Sequence, residues 1–123
     1  MRNLDCQLLL YVTEEQFDQC SAFYGEVLEL ESFYSWDEGS DDRGIKYHVG
    51  GAQIVVLVQE NPFTECGPVH FQIETEDLEA VYVSVKDHPL MKITQEPFVR
   101  PYGWKMFRCE DPAGNHINIY QLP

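Results

Sequence analysis

Pro68-Val69-His70-Phe71-Gln72-Ile73-Glu74-Thr75-Glu76-Asp77-Leu78 decides the fold, because it restarts an order that the chain has already run through once. Val69, Phe71 and Ile73 alternate with His70 and Gln72, the period-two pattern of a half-buried strand over residues 68–75. Thr75-Glu76-Asp77 then resembles Thr13-Glu14-Glu15, which follows an earlier apolar run at residues 4–12. In that run Leu8, Leu10 and Val12 share one face and Gln7, Leu9 and Tyr11 the other. Thr13-Glu14-Glu15-Gln16 fits a capping box with acidic residues in the first turn. Phe17, Cys20, Tyr24, Val27 and Leu28 continue it at helical spacing. In the second copy Leu78, Val81, Tyr82 and Val85 form the matching stripe, which stops before Pro89. Residues 81–85 also alternate as a strand would, so strand and helix both stay open there.

Outward from these two starts, three strand-like runs follow each helix. They cover residues 30–36, 45–49 and 52–59 in the first copy and 91–98, 104–110 and 116–121 in the second. Gly50-Gly51 is a hairpin turn, and Asp111-Pro112-Ala113-Gly114-Asn115 is the turn before the last strand. Residues 60–67, with Asn61-Pro62, read as a linker. The expected fold is α+β: one domain over residues 1–123, made of βαβββ modules at 4–59 and 68–122 with curved mixed sheets. One helix covers one face of each sheet. The sheets, meeting edge to edge, would enclose a cavity with their uncovered faces.

A chain of 123 residues with 44% apolar and 13% aromatic residues is globular and buries roughly two-thirds of its unfolded surface without a disulfide or structural metal. Its net charge of -13 argues against nucleic acid and against acidic lipid surfaces, and favours cationic ligands. Cys6, Cys20, Cys66 and Cys109 form no Cys-x-x-Cys pair, so thiols in a reducing cytoplasm are expected. No apolar run approaches the length of a membrane span, and residues 1–5 lack the apolar stretch of a signal peptide.

Two passages carry a family resemblance. Phe23-Tyr24-Gly25-Glu26-Val27-Leu28-Glu29-Leu30 is similar to the end of the first helix, and Tyr102-Gly103-Trp104 with Asp111-Pro112-Ala113-Gly114-Asn115-His116-Ile117 to the last hairpin, of the vicinal oxygen chelate superfamily. That group includes glyoxalase I, bleomycin-resistance proteins, fosfomycin-resistance enzymes and extradiol dioxygenases. The resemblance spans nearly the whole chain and implies the fold. It leaves activity open, because one scaffold hosts enzymes and plain binders.

Enzymes of the superfamily hold a metal with side chains from four strands. Carried over strand by strand, the positions fall on Gln7, on Val55 (or Val56 one register away), on His70 and on Asn118. One imidazole, two neutral amides and an alkyl group bring no negative charge to offset desolvation of a divalent ion. No cofactor is therefore expected. Were a metal present (zinc, nickel, manganese or iron), Gln7 and His70 would be its ligands.

Alternation places Gln53, Val55 and Leu57, His70 and Gln72, and His116, Asn118 and Tyr120 on the cavity side. Trp36, Tyr47, Tyr102 and Trp104 join them as stacking candidates. Each also has a structural reading. His70 suits a hydrogen-bonded sheet histidine, Gln7 and Asn118 suit amides that satisfy one another, and any Trp suits a core. The acidic loop 37–42 is either a cation-holding site or a solvated charge run. Arg100 and Arg108 either clamp a carboxylate or pair with surface acids.

Three functions of different kinds follow. The first is a metal-free module that sequesters a small organic molecule, cationic and aromatic. The alternative is a divalent-metal-dependent lyase, isomerase or dioxygenase with an altered ligand set. The third is a structural or regulatory partner protein. Pairing into a homodimer is expected by analogy with the superfamily.

Overall fold

The computed structural model describes residues 1–39, 41–60 and 68–123. The chain divides into two compact units, Met1–Cys66 and Gly67–Pro123, each carrying one four-stranded mixed sheet.

In the first unit β1 (Gln7–Tyr11) leads to α1 (Phe17–Ala22), then to β2 (Ser32–Asp37), β3 (Arg43–Val49) and β4 (Ala52–Val58). The strand order is β1-β4-β3-β2, with β1 parallel to β4 and the other pairs antiparallel. The capping box forms as the sequence predicts. The Gln16 N–H donates to Thr13 Oγ1 (3.3 Å) and the Thr13 N–H to Gln16 Oε1 (3.0 Å), satisfying two donors that a helix start leaves over. The regular helix then widens into a π-helical turn, Phe23–Val27, which simple helical spacing does not anticipate. The wider turn carries the consecutive residues Phe23 and Tyr24 both into the core, where neither is exposed. Glu29 ends it in the left-handed region (φ 55), and the Leu30 N–H returns to the Tyr24 carbonyl. Leu10, Val12, Ile54 and Val56 are buried on the helix-covered face.

The second unit runs β5 (His70–Glu74), α2 (Leu78–Val85), β6 (Lys92–Val99), β7 (Lys105–Glu110) and β8 (His116–Gln121), in the order β5-β8-β7-β6 with β5 parallel to β8. The ambiguous stretch 81–85 is helix. Asp77 caps it by accepting from the Ala80 N–H (3.2 Å), a local hydrogen bond that fixes the helix start. Leu78 and Val85 are buried, and Tyr82 meets Phe107 of β7 edge-on at 5.2 Å. Phe107, Cys109, Ile117 and Ile119 supply the buried sheet side.

The eight strands and two helices stand in the expected order, so the fold is α+β with two βαβββ modules. Strand ends shift by a few residues; β1 starts at Gln7 rather than at residue 4. Of the expected linker, residues 61–67 lie outside the described residues. No disulfide joins Cys6, Cys20 and Cys109; Cys66 is not among the described residues. No described helix is long and apolar enough to cross a membrane.

Candidate functional site

The face of the second sheet turned away from α2 collects most of the chemistry. Parallel pairing sets His70 level with His116, Gln72 with Asn118, and Glu74 with Tyr120. Antiparallel pairing sets Arg108 level with Asn118 and Met106 with Tyr120. Strand alternation then puts all of these on one side. His70 Nε2 lies 3.4 Å from Asn118 Oδ1, and Asn118 Nδ2 donates to Gln72 Oε1, also at 3.4 Å. The His70 and His116 rings meet edge-on at 5.9 Å. One step along the strand, Trp104 stacks on Tyr120 (4.8 Å, 12° between planes), and Tyr102 stands edge-on to Trp104. The Tyr120 phenol is held above its ordinary pKa by desolvation and by the nearby Glu74.

A groove of about 330 Å³ opens here, lined among others by His70, Thr94, Arg108, His116 and Asn118. Arg108 Nη1 donates to Gln95 Oε1 (3.0 Å) and its guanidinium lies 5.3 Å from the Phe98 ring. Glu110 is taken by Lys92 (3.0 Å) and approached by His116 (3.5 Å). The sequence places Arg108 beside the hairpin but not in this groove. Only the β7–β8 register brings it level with Asn118, and Thr94 enters through an irregular stretch of β6 that alternation does not track.

The matching face of the first sheet holds Gln7 and Gln53, level with each other on β1 and β4. Gln7 Nε2 donates to Gln53 Oε1 (2.7 Å) and to Asp5 Oδ2 (3.2 Å). Val55 sits between Leu9 and Lys46 in the ladder and is buried. Trp36 lies over Gly44, and its Nε1 donates to Asp42 Oδ1 (2.7 Å). Gln59 also donates to that oxygen (2.9 Å), and the two bonds hold the Asp42 carboxyl below its ordinary pKa. One acid of the loop 37–42 is thus committed to anchoring an indole; Ser40 lies outside the described residues.

Tyr47, one of the stacking candidates, pairs with Ile54, so it points to the helix side and not to the helix-free face. There it is buried, tilts against Tyr24 at 6.2 Å and donates its hydroxyl to the Ser21 carbonyl (2.8 Å). Burial raises its pKa. The β3–β4 register decides this, and it is invisible to an aromatic count.

The metal positions carried over from the superfamily do not fit a resident divalent ion. Val55 offers no donor and Val56 faces the core. Gln7 spends its amide on Gln53, and Asn118 shares its own between His70 and Gln72. Neutral amide oxygens and one imidazole leave the ion's charge uncompensated. Among the described residues no three His, Cys, Asp or Glu side chains gather as metal ligands would.

The model of the Glyoxalase/Bleomycin resistance protein/Dioxygenase superfamily matches residues 10–119. No curated protein sequence matches. Similar solved structures include TioX from Micromonospora sp. ML1, with TM-score 0.78 and 13% identity over 98% of this chain and 100% of that one. TnmS3, an antibiotic binding protein from Streptomyces sp. CB03234, gives 0.74 and 19% over 99% and 98%. A lactoylglutathione lyase from Agrobacterium tumefaciens gives 0.72 and 16% over 98% and 95%. At these identities the likeness is one of fold.

Proposed function

Because the chain belongs to the Glyoxalase/Bleomycin resistance protein/Dioxygenase superfamily, we propose that it is one of the binders built on that scaffold: a metal-free module that holds a small organic molecule. The observation that carries this reading is the donor set. Where superfamily enzymes place metal ligands, this chain has a histidine, two amides and a valine, and the amides are already hydrogen-bonded to neighbours. Such a surface suits an organic guest, which needs a few oriented donors and acceptors beside flat apolar area.

The helix-free face of the second module supplies both. His70, Asn118 and Gln72 form a hydrogen-bonding strip on rigid strands, and Tyr120 with Trp104 forms an aromatic platform beside it. Aromatic rings give large contact area at little entropic cost. TnmS3, of the same fold, is an antibiotic binding protein, which supports guest binding as a use of this architecture.

Native mass spectrometry with elemental analysis of the purified protein tests the proposal. The expected result is sub-stoichiometric metal, and a compound library that contains ligands raising the melting temperature. Stoichiometric divalent metal, with turnover lost to a chelator and in His70→Ala, would replace it with the lyase, isomerase or dioxygenase reading.

A further inference from the structure

The chain carries a net charge of -13, which taken as a whole favours cationic guests, yet the groove on the second module is locally the reverse. Arg108 reaches into it half-buried, with no acidic side chain within ion-pair distance among the described residues. Its Nη1 is used by the neutral Gln95, and its Nε is buried without a hydrogen-bond partner. That Nε is shut off from solvent, so a guest meets the outer Nη groups, whose N–H bonds form a fork that matches a carboxylate. The other charged groups on this face do not fill that role. Glu110 is held by Lys92 and His116, and Glu74 accepts from the Tyr120 hydroxyl (3.3 Å). His70, His116 and Asn118 add further hydrogen-bonding groups around the same groove.

The aromatic platform begins at Tyr120, two residues along β8 from Asn118 and so roughly 7 Å from the level of Arg108. The spacing joins an anion anchor to a stacking surface at about the length of one aryl acid. We infer that the guest of this groove is a small aromatic carboxylate, its acid group held by Arg108 and its ring against Tyr120 and Trp104. This deepens the reading of the chain as a small-molecule binder and rests on it.

Three probes of nearly equal shape and different charge test the inference: 2-naphthoate, the neutral 2-naphthamide and the cationic 2-naphthamidine, titrated against the full chain by NMR. The expected result is that 2-naphthoate binds at least about tenfold more tightly than the amide, the scale of a hydrogen bond to a charged partner, and shifts the resonances of His70, Arg108 and Asn118. In Arg108→Gln the preference for 2-naphthoate over the amide disappears; Arg108→Lys keeps part of it. Equal or tighter binding of the amidine, or an unchanged ratio in Arg108→Gln, overturns the inference, and the amidine comparison decides it even where that variant does not fold. Silence from all three probes also overturns it. The wider binder reading then stands or falls separately, on whether library compounds raise the melting temperature.

Discussion

Asn115 Oδ1 accepts the backbone N–H of Val69 at 3.0 Å, so a turn late in the chain sets the start of the strand that carries His70. Asp111 locks the same turn. Its Oδ1 accepts from the N–H groups of Ala113 and Asn115, and its Oδ2 from Asn115 Nδ2, all at 2.9 Å. The turn motif thus explains itself as structure: two buried polar side chains tie β8 to β5 and place His70 level with His116. Asn115→Ala leaves the Val69 N–H unsatisfied and removes a partner from Asp111. The expected loss is about 1–3 kcal/mol, seen in chemical denaturation, together with a changed His70 resonance in the folded protein. An unmoved His70 signal would break the link between turn and site.

Trp36 covers Gly44 so closely that a Cβ there would come within 2.6 Å of ring atom Cζ2. The indole cannot simply slide off, because Nε1 is bonded to Asp42. Gly44→Ala is therefore expected to cost roughly 1–3 kcal/mol through overpacking, and to shift the fluorescence of Trp36 to the red in a Trp104→Phe background. Wild-type stability and emission in that variant would contradict the packing.

Glu29 occupies a left-handed conformation (φ 55) at the end of the first helical segment. A side chain there costs on the order of 1 kcal/mol that glycine does not incur. Glu29→Gly should raise stability by about 0.5–1 kcal/mol and the melting temperature by a few degrees. It also removes one negative charge from an acidic chain, so Glu29→Gln serves as the control and should give a much smaller rise.

The Cys109 thiol is buried, and loss of water, with Asp111 and Glu110 nearby, pushes it from 9.0 up to about 12. The folded chain keeps this proton in a range where the unfolded chain releases it. The stabilisation is full below pH 9 and is lost as pH rises toward 12. Stability should fall by on the order of a few kcal/mol across that window, with a shallower slope in Cys109→Ala. Peptide mapping after brief exposure to a thiol reagent at pH 8 should find the exposed Cys6 labelled and Cys109 untouched.

Much of this was legible in the sequence, and what was not has a common cause. Alternation and capping are local, so Val69, Phe71 and Ile73, the Thr13–Gln16 box and the Asp111–Asn115 turn could be read one segment at a time. Which residue stands beside which on the neighbouring strand is not local. Tyr47 reads as a stacking candidate because it is aromatic, yet its partner is Ile54 and it turns to the helix. Arg108 enters the groove through its pairing with Asn118, a register that no single segment encodes. The π-helical turn escapes for a related reason: it is chosen by the need to bury both Phe23 and Tyr24 rather than by helix propensity.

Adding metal separates the binding and enzyme readings in solution. An ion present at 100 times its dissociation constant and bound only by the folded chain adds about 2.7 kcal/mol, which would move the melting temperature by several degrees. Zinc, nickel, manganese and iron(II) salts at tenfold excess over protein should leave it unchanged, because Gln7 and Asn118 offer amides already committed to Gln53, His70 and Gln72. His70→Ala should be equally indifferent to metal while weakening a guest that hydrogen-bonds to the imidazole. A rise of several degrees in the wild-type protein, abolished by His70→Ala and by a chelator, would mean that the imidazole recruits donors from outside the strip, and that the chain is a metalloprotein.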